Sequence, residues 1–171
     1  RSKDGGESWP WVGGGLPDGK DLFKSYEFDK GHADAQLVFS MDGSFLACSQ
    51  KTGHVARFNR ADDAWETVDC HVWGTRIFAD PHVPGRFIHA EREAKESLDG
   101  GRTWRPCPSI PPRSWYLAFD PRQKGLVVAG ADRFYLSRDG GASFAPLPGG
   151  LDLPANGSRA ISLDRGRLFA L

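Results

Sequence analysis

Ser97-Leu98-Asp99-Gly100-Gly101-Arg102-Thr103-Trp104 is repeated, with small changes, as Ser137-Arg138-Asp139-Gly140-Gly141-Ala142-Ser143-Phe144. A third copy opens the chain as Ser2-Lys3-Asp4-Gly5-Gly6-Glu7-Ser8-Trp9. Each reads Ser-x-Asp-Gly-Gly-x-(Ser/Thr)-aromatic. Asp before two glycines is strong turn chemistry: the short carboxylate accepts from backbone N–H groups just ahead, and glycine takes positive φ without a Cβ clash. Strand-forming residues on either side make the turn a hairpin. The Ser or Thr hydroxyl ties down the return strand, and the closing Trp or Phe anchors the turn from beneath. Asp4, Gly5, Gly6, Trp9, Asp99, Gly100, Gly101, Trp104, Asp139, Gly140, Gly141 and Phe144 are therefore read as structural, not catalytic.

The box recurs with a period. Trp104 to Phe144 is a step of 40 residues, and 39 residues before Trp104 stands Trp65, in Asn59-Arg60-Ala61-Asp62-Asp63-Ala64-Trp65-Glu66. That segment reads as a decayed box. A second series keeps step with it: Phe39, Phe78, Phe119 and Leu163 each sit in a short apolar strand that runs into an Asp. After each Asp comes a turn and a second apolar strand, such as Phe87-Ile88-His89 or Leu126-Val127-Val128-Ala129. A third strand enters the box and a fourth leaves it. Four short strands per about 40 residues is the signature of a β-propeller blade.

The expected fold is thus all-β, with four-stranded antiparallel blades in an open propeller fragment of about four blades. A self-contained four-bladed ring is the alternative. Residues 1–36 are expected to form the end of one blade plus a long insertion loop. Blades follow at 37–74, 75–114 and 115–159, and 160–171 begins another. Blades stack, so an open arc exposes the faces of its end blades.

Composition narrows the function classes. Basic and acidic residues balance at 22 each, giving no electrostatic signature for nucleic acid or an anionic membrane. No apolar run approaches a membrane span. Cys48, Cys70 and Cys107 show no C-x-x-C pairing, and three unlinked thiols are the favoured reading over one disulfide and a spare. The spacing of His71, His82 and His89 fits no standard zinc pattern, so neither a metal nor a cofactor is expected.

The box resembles the Asp-box, or BNR, repeat of sialidases, xyloglucan-active glycosidases, sortilin-type receptors and a photosystem assembly factor. The resemblance implies a box in the hairpin between the third and fourth strands of a blade. It also implies a secreted or periplasmic protein and a carbohydrate or a protein or peptide ligand. Turns between the first two strands lie with the boxes on one face of the propeller. The connecting loops lie on the other, which the resemblance implies is the ligand-binding face. The xyloglucan-active group is nearest in rhythm, through the Asp80-Pro81 and Asp120-Pro121 turns.

Candidates follow from that face. The loop after Trp9 is about 16 residues longer than the repeat demands and carries His32 and Asp34, and long insertions often carry function. Glu91-Arg92-Glu93 is the densest carboxylate cluster, and Asp132 lies in the next blade's equivalent loop. Paired carboxylates are the machinery of glycoside hydrolysis. In an extended strand, however, Glu91 and Glu93 share a side opposite Arg92, and solvated loop charges explain them more simply. Arg113, Arg133 and Arg159 suit carboxylate recognition. Yet the sialidase Arg-Ile-Pro motif is absent, because Phe78 follows Arg76-Ile77, and Tyr26, Tyr116 and Tyr135 match no family nucleophile. The functional expectation is a binding scaffold completed by the remaining blades of the propeller. Part of a glycoside hydrolase and a sortilin-type peptide receptor are the alternatives.

Overall fold

The computed structural model describes residues 4–8, 35–49, 55–62, 64–68, 76–90, 92–147 and 161–170. Among them every regular element is a strand. The first sheet is β1 (Ala35–Phe39), β2 (Phe45–Ser49), β3 (Val55–Asn59) and β4 (Ala64–Val68). The second is β5 (Arg76–Ala79), β6 (Phe87–Ala90), β7 (Lys95–Ser97) and β8 (Arg105–Pro106). The third is β9 (Tyr116–Phe119), β10 (Val127–Gly130), β11 (Phe134–Ser137) and β12 (Ala145–Pro146). A hairpin of β13 (Ile161–Asp164) and β14 (Arg167–Ala170) follows. Each four-stranded sheet is a simple antiparallel meander in chain order.

Neighbouring residues of one strand belong to different cores, because side chains alternate across a sheet. Phe87 packs with Ile77 against Val38, Leu46, Cys48 and Val55 of the first sheet. Its neighbour Ile88 packs instead with Ala90 against Leu117 and Ala129 of the third. Ala118 and Val128 in turn meet Leu163 of the last hairpin. The sheets therefore stack face to face with both faces covered, which explains why their strands read as apolar runs without a polar side. Fully burying a side chain such as Phe87 stabilises by about 1.5–3 kcal/mol. At the two ends of the stack Leu37, Phe39 and Met41 on one side and Phe169 on the other remain exposed.

The decayed box is an ordinary tight hairpin. Asn59 pairs with Ala64 and Phe58 with Trp65, so Trp65 stays inside the ladder. In the second sheet the β7–β8 pairing closes at Glu96 and Arg105, and of the eight box residues only Ser97 stays in the sheet, paired with Phe87. Without the glycine pair, Asn59 makes the turn: its side-chain oxygen accepts from Ala61 N at 3.0 Å, and its amide donates to Asp62 at 2.6 Å. Cys48 and Cys107 are both buried, and Cys70 lies outside the described residues.

His89 is the anomaly of the second sheet. It is buried on β6, opposite Lys95 of β7, and neither ring nitrogen has a hydrogen-bond partner among the described residues. Burial first, and the Lys95 charge second, bring its pKa down to about 4 from 6.5. Between these values the unfolded chain binds a proton that the folded one refuses, so stability falls as pH drops from about 6.5 and the loss is complete near 4. The penalty is on the order of 3 kcal/mol. Thermal melts at pH 7.5, 5.5 and 4 are expected to show this loss in the natural chain and its absence in His89→Leu. Equal acid sensitivity of the two proteins would show that His89 is not the group responsible.

Candidate functional site

The two complete described boxes are built alike. Asp99 accepts from Arg102 N and Thr103 N, each at 3.0 Å, and from the Thr103 hydroxyl at 2.6 Å. Ser97 donates its hydroxyl to Asp99 at 2.8 Å and accepts from Gly101 N at 2.8 Å. Asp139 repeats this with Ser143 N at 2.9 Å and the Ser143 hydroxyl at 2.5 Å, while Ser137 repeats the role of Ser97. In the first box Asp4 accepts from the backbone N–H and the hydroxyl of Ser8. The hydroxyl of the seventh position thus binds the Asp itself instead of the return strand. Trp104 packs into the seam between the first and second sheets and Phe144 into the next seam. Trp9 lies outside the described residues.

These aspartates are committed to backbone. Burial acts to raise the Asp99 pKa, but the Thr103 hydroxyl and N–H, the Ser97 hydroxyl and the Arg102 N–H override it and hold it at about 2. The Ser143 and Ser137 hydroxyls likewise hold Asp139 well below the usual carboxylate range. The Asp99 contribution to stability is present above the unfolded pKa near 3.9 and is lost as pH falls through about 2. That window lies below the one set by His89, so acid melts separate the two.

The boxes also fasten one sheet to the next. Arg57 of the first sheet donates to Gly100 O at 2.9 Å. Arg86 of the second sheet donates to Gly140 O at 2.7 Å. Arg57 is paired with Glu66 at 3.2 Å, and Arg86 with Asp80 at 3.0 Å and Glu96 at 3.3 Å. Sequence reading missed both arginines, although a charged residue between Ala56 and Phe58 was a signal of buried pairing. A cavity of about 470 Å³ on this side is lined by Asp80, Arg86, Glu96, Arg105 and Asp139 among others. Arg86, Asp80, Glu96 and Arg105 there satisfy one another, with Arg105 and Glu96 at 2.8 Å.

The opposite side differs. A cleft of about 760 Å³ is lined by Arg92, Pro112, Arg113, Trp115, Ala131, Asp132 and Tyr135, which come from three connecting segments and β11. Its walls are fixed from within: Ser114 donates its hydroxyl to Pro111 O at 2.6 Å, and Trp115 N donates to Gly130 O at 2.9 Å. Between them Arg113 is held at φ 60°, a left-handed conformation that costs a non-glycine residue roughly 1–2 kcal/mol. Trp115 is 39% exposed and turns an aromatic surface toward the cleft. The Tyr135 hydroxyl donates to Asp132 at 2.9 Å, and Arg133 approaches the other carboxylate oxygen at 3.6 Å. The Tyr135 hydrogen bond, ahead of the Arg133 charge, lowers the Asp132 pKa, and the same bond raises that of Tyr135. Asp132 is therefore a carboxylate and Tyr135 a neutral phenol at ordinary pH, which suits neither a general acid nor an ionised nucleophile.

The sequence candidates divide accordingly. Arg92, Arg113 and Asp132 come together in the cleft, and Arg133 stands behind it as the Asp132 partner. Arg92 and Glu93 lie in a bend between β6 and β7 and not in an extended strand, and both are exposed. The alternation expected of an extended strand therefore does not apply to Arg92 and Glu93. Glu91, Asp34, His32 and Arg159 lie outside the described residues. Trp115 and Tyr135 were not foreseen as cleft residues; the signal was an aromatic pair, Trp115-Tyr116, directly after a Pro-rich connection. Among the described residues no group of three or more His, Cys, Asp or Glu side chains is placed to hold a metal ion. No helix among them is long and apolar enough to cross a membrane.

No family model matches the sequence, and no curated protein does. Solved structures do. The chain is similar to the GH74 enzyme of Niastella koreensis, at TM-score 0.55 and 16% identity over 66% of this chain and 18% of that one. The GH74 xyloglucanase of Xanthomonas campestris matches at TM-score 0.53 and 18% identity, over 68% and 23% of the two chains. Virginiamycin B lyase of Staphylococcus aureus matches at TM-score 0.53 and 13% identity, over 79% and 47%. All three are β-propellers, and identities this low speak for the fold alone. The architecture is a β-propeller fold, of which this chain spans less than half the length of each matched protein.

Proposed function

We propose that the chain is a β-propeller scaffold that binds carbohydrate in the cleft between its connecting loops. The observation that carries this reading is the half-exposed indole of Trp115 beside the Tyr135–Asp132 pair on rigid walls. A flat aromatic surface accepts the apolar face of a sugar ring, while the carboxylate and guanidinium groups around it suit sugar hydroxyls. The box side offers no comparable group, since its polar side chains are spent on backbone and on one another. Membership in a glycoside hydrolase is the less favoured reading. Of the described residues lining the cleft only Asp132 is a carboxylate, and hydrolysis requires a pair flanking the bond.

Trp115→Ala is expected to weaken oligosaccharide binding by about 10-fold or more, the scale of a central aromatic contact. Titration calorimetry with a panel of neutral and acidic oligosaccharides, alongside a melt to show that the fold survives, checks this. Undiminished binding by a folded Trp115→Ala would move the site elsewhere. Turnover of a panel member that disappears with Asp132→Asn would favour the hydrolase reading.

A further inference from the structure

We infer that the ligand of this cleft is an acidic oligosaccharide whose carboxylate is gripped by Arg92 and Arg113. The inference rests on the carbohydrate reading and deepens it. Its ground is the charge balance of the cleft wall. Arg57, Arg86, Arg105, Arg122 and Arg133 each face a carboxylate, whereas Arg92 and Arg113 have neither an ion pair nor a hydrogen bond among the described residues. Other arginines, such as Arg138, Arg165 and Arg167, are also unpaired, but only Arg92 and Arg113 of the described unpaired arginines share this concavity. Asp132, the one carboxylate among the described lining residues, is already compensated by Arg133 and by the Tyr135 hydroxyl. Among the described residues two positive charges on the wall are therefore unanswered.

The geometry of Arg113 adds a second, independent observation. Its backbone is held in the left-handed region at φ 60°, the conformation that projects it from between the buried Ser114 and the exposed Pro112. Strain of this kind persists where the surroundings over-determine it, and it gathers at binding sites. A guanidinium is a planar fork that matches a planar carboxylate through two parallel hydrogen bonds. A sugar ring lying on Trp115 would then present a ring carboxylate to the arginine side and hydroxyls to Asp132. A tetrahedral sulfate also offers the fork two oxygens, so a sulfated probe is needed to separate the two anions.

The test compares uronate oligosaccharides (galacturonan, mannuronan and glucuronoxylan fragments) with their carboxyl-reduced counterparts and with a sulfated neutral oligosaccharide, by calorimetry. The natural chain is expected to bind at least one uronate fragment, and its reduced counterpart about 10-fold or more weakly, the scale of a charged hydrogen bond. Arg92→Gln with Arg113→Gln should abolish that difference; Arg138→Gln should do nothing. Arg113→Lys, which keeps the charge and loses the fork, should recover only part of it. Equal affinity for uronate and reduced forms overturns the anion assignment and leaves the carbohydrate reading standing. Preference for the sulfated probe overturns the carboxylate in favour of sulfate. Binding of no oligosaccharide of either kind overturns both.

Discussion

Arg86→Ala is expected to lower the melting temperature by roughly 6–20 °C, with no change in the pH of the His89 transition. The residue joins three partners: Asp80 at 3.0 Å, Glu96 at 3.3 Å and Gly140 O at 2.7 Å. Its side chain is 12% exposed and that of Asp80 is 4% exposed, so removing the cation leaves a shielded Asp80 without its counter-charge, while Glu96 keeps only Arg105. Breaking such a pair from one side costs about 3–5 kcal/mol, and each kcal/mol moves the midpoint of a domain this size by about 2–4 °C. Arg57→Ala is the internal comparison. Its partner Glu66 is 46% exposed and returns to water when released, so the same substitution there should cost less. Scanning calorimetry on the two variants ranks them; a smaller shift for Arg86→Ala would contradict the clamp.

Gly101→Ala should cost about 2–5 kcal/mol, far more than alanine at Gly141, the corresponding position of the Ser137–Phe144 box. Gly101 sits at φ 86°, where a Cβ strains the backbone by about 1–2 kcal/mol. That Cβ would also stand 2.5 Å from Leu46 Cδ2, and Leu46 is fully buried in the seam. Overpacking of a core adds about 1–3 kcal/mol. Gly141 has nearly the same backbone, φ 91°, with no atom nearer than 3.7 Å to the added carbon, so Gly141→Ala carries the strain alone. Leu46→Ala should partly rescue Gly101→Ala, giving a double-mutant cycle with a favourable coupling. Additive losses in urea titrations would mean that the two side chains do not compete for space.

The contrast between these residues shows where sequence reading reaches its limit. Asp99 and Thr103 are four residues apart, so the turn they build is dictated by local chemistry and was readable as such. The same holds for the apolar strand pairs, whose period repeats because each hairpin closes within a few residues. The decayed box around Asn59 shows the converse: its position in the repeat was legible, but loss of the glycine pair converted it to a plain hairpin. Trp115 was hidden for another reason. An aromatic residue beside an apolar strand reads as core until the fold shows which side is wet.

By itself the sequence determined the repeat, the strand order within each sheet and the commitment of Asp99 and Asp139 to their own turns. These depend on contacts between near neighbours, where residue type and spacing suffice. Only the tertiary structure decided that Arg57 meets Gly100, 43 residues on, and that Arg86 meets Gly140, 54 residues on. It alone brought Arg92, Arg113, Trp115 and Asp132 to one cleft. The physical reason is that face-to-face stacking of sheets sets those meetings, and stacking is driven by non-directional apolar burial that leaves no pairing code in the chain.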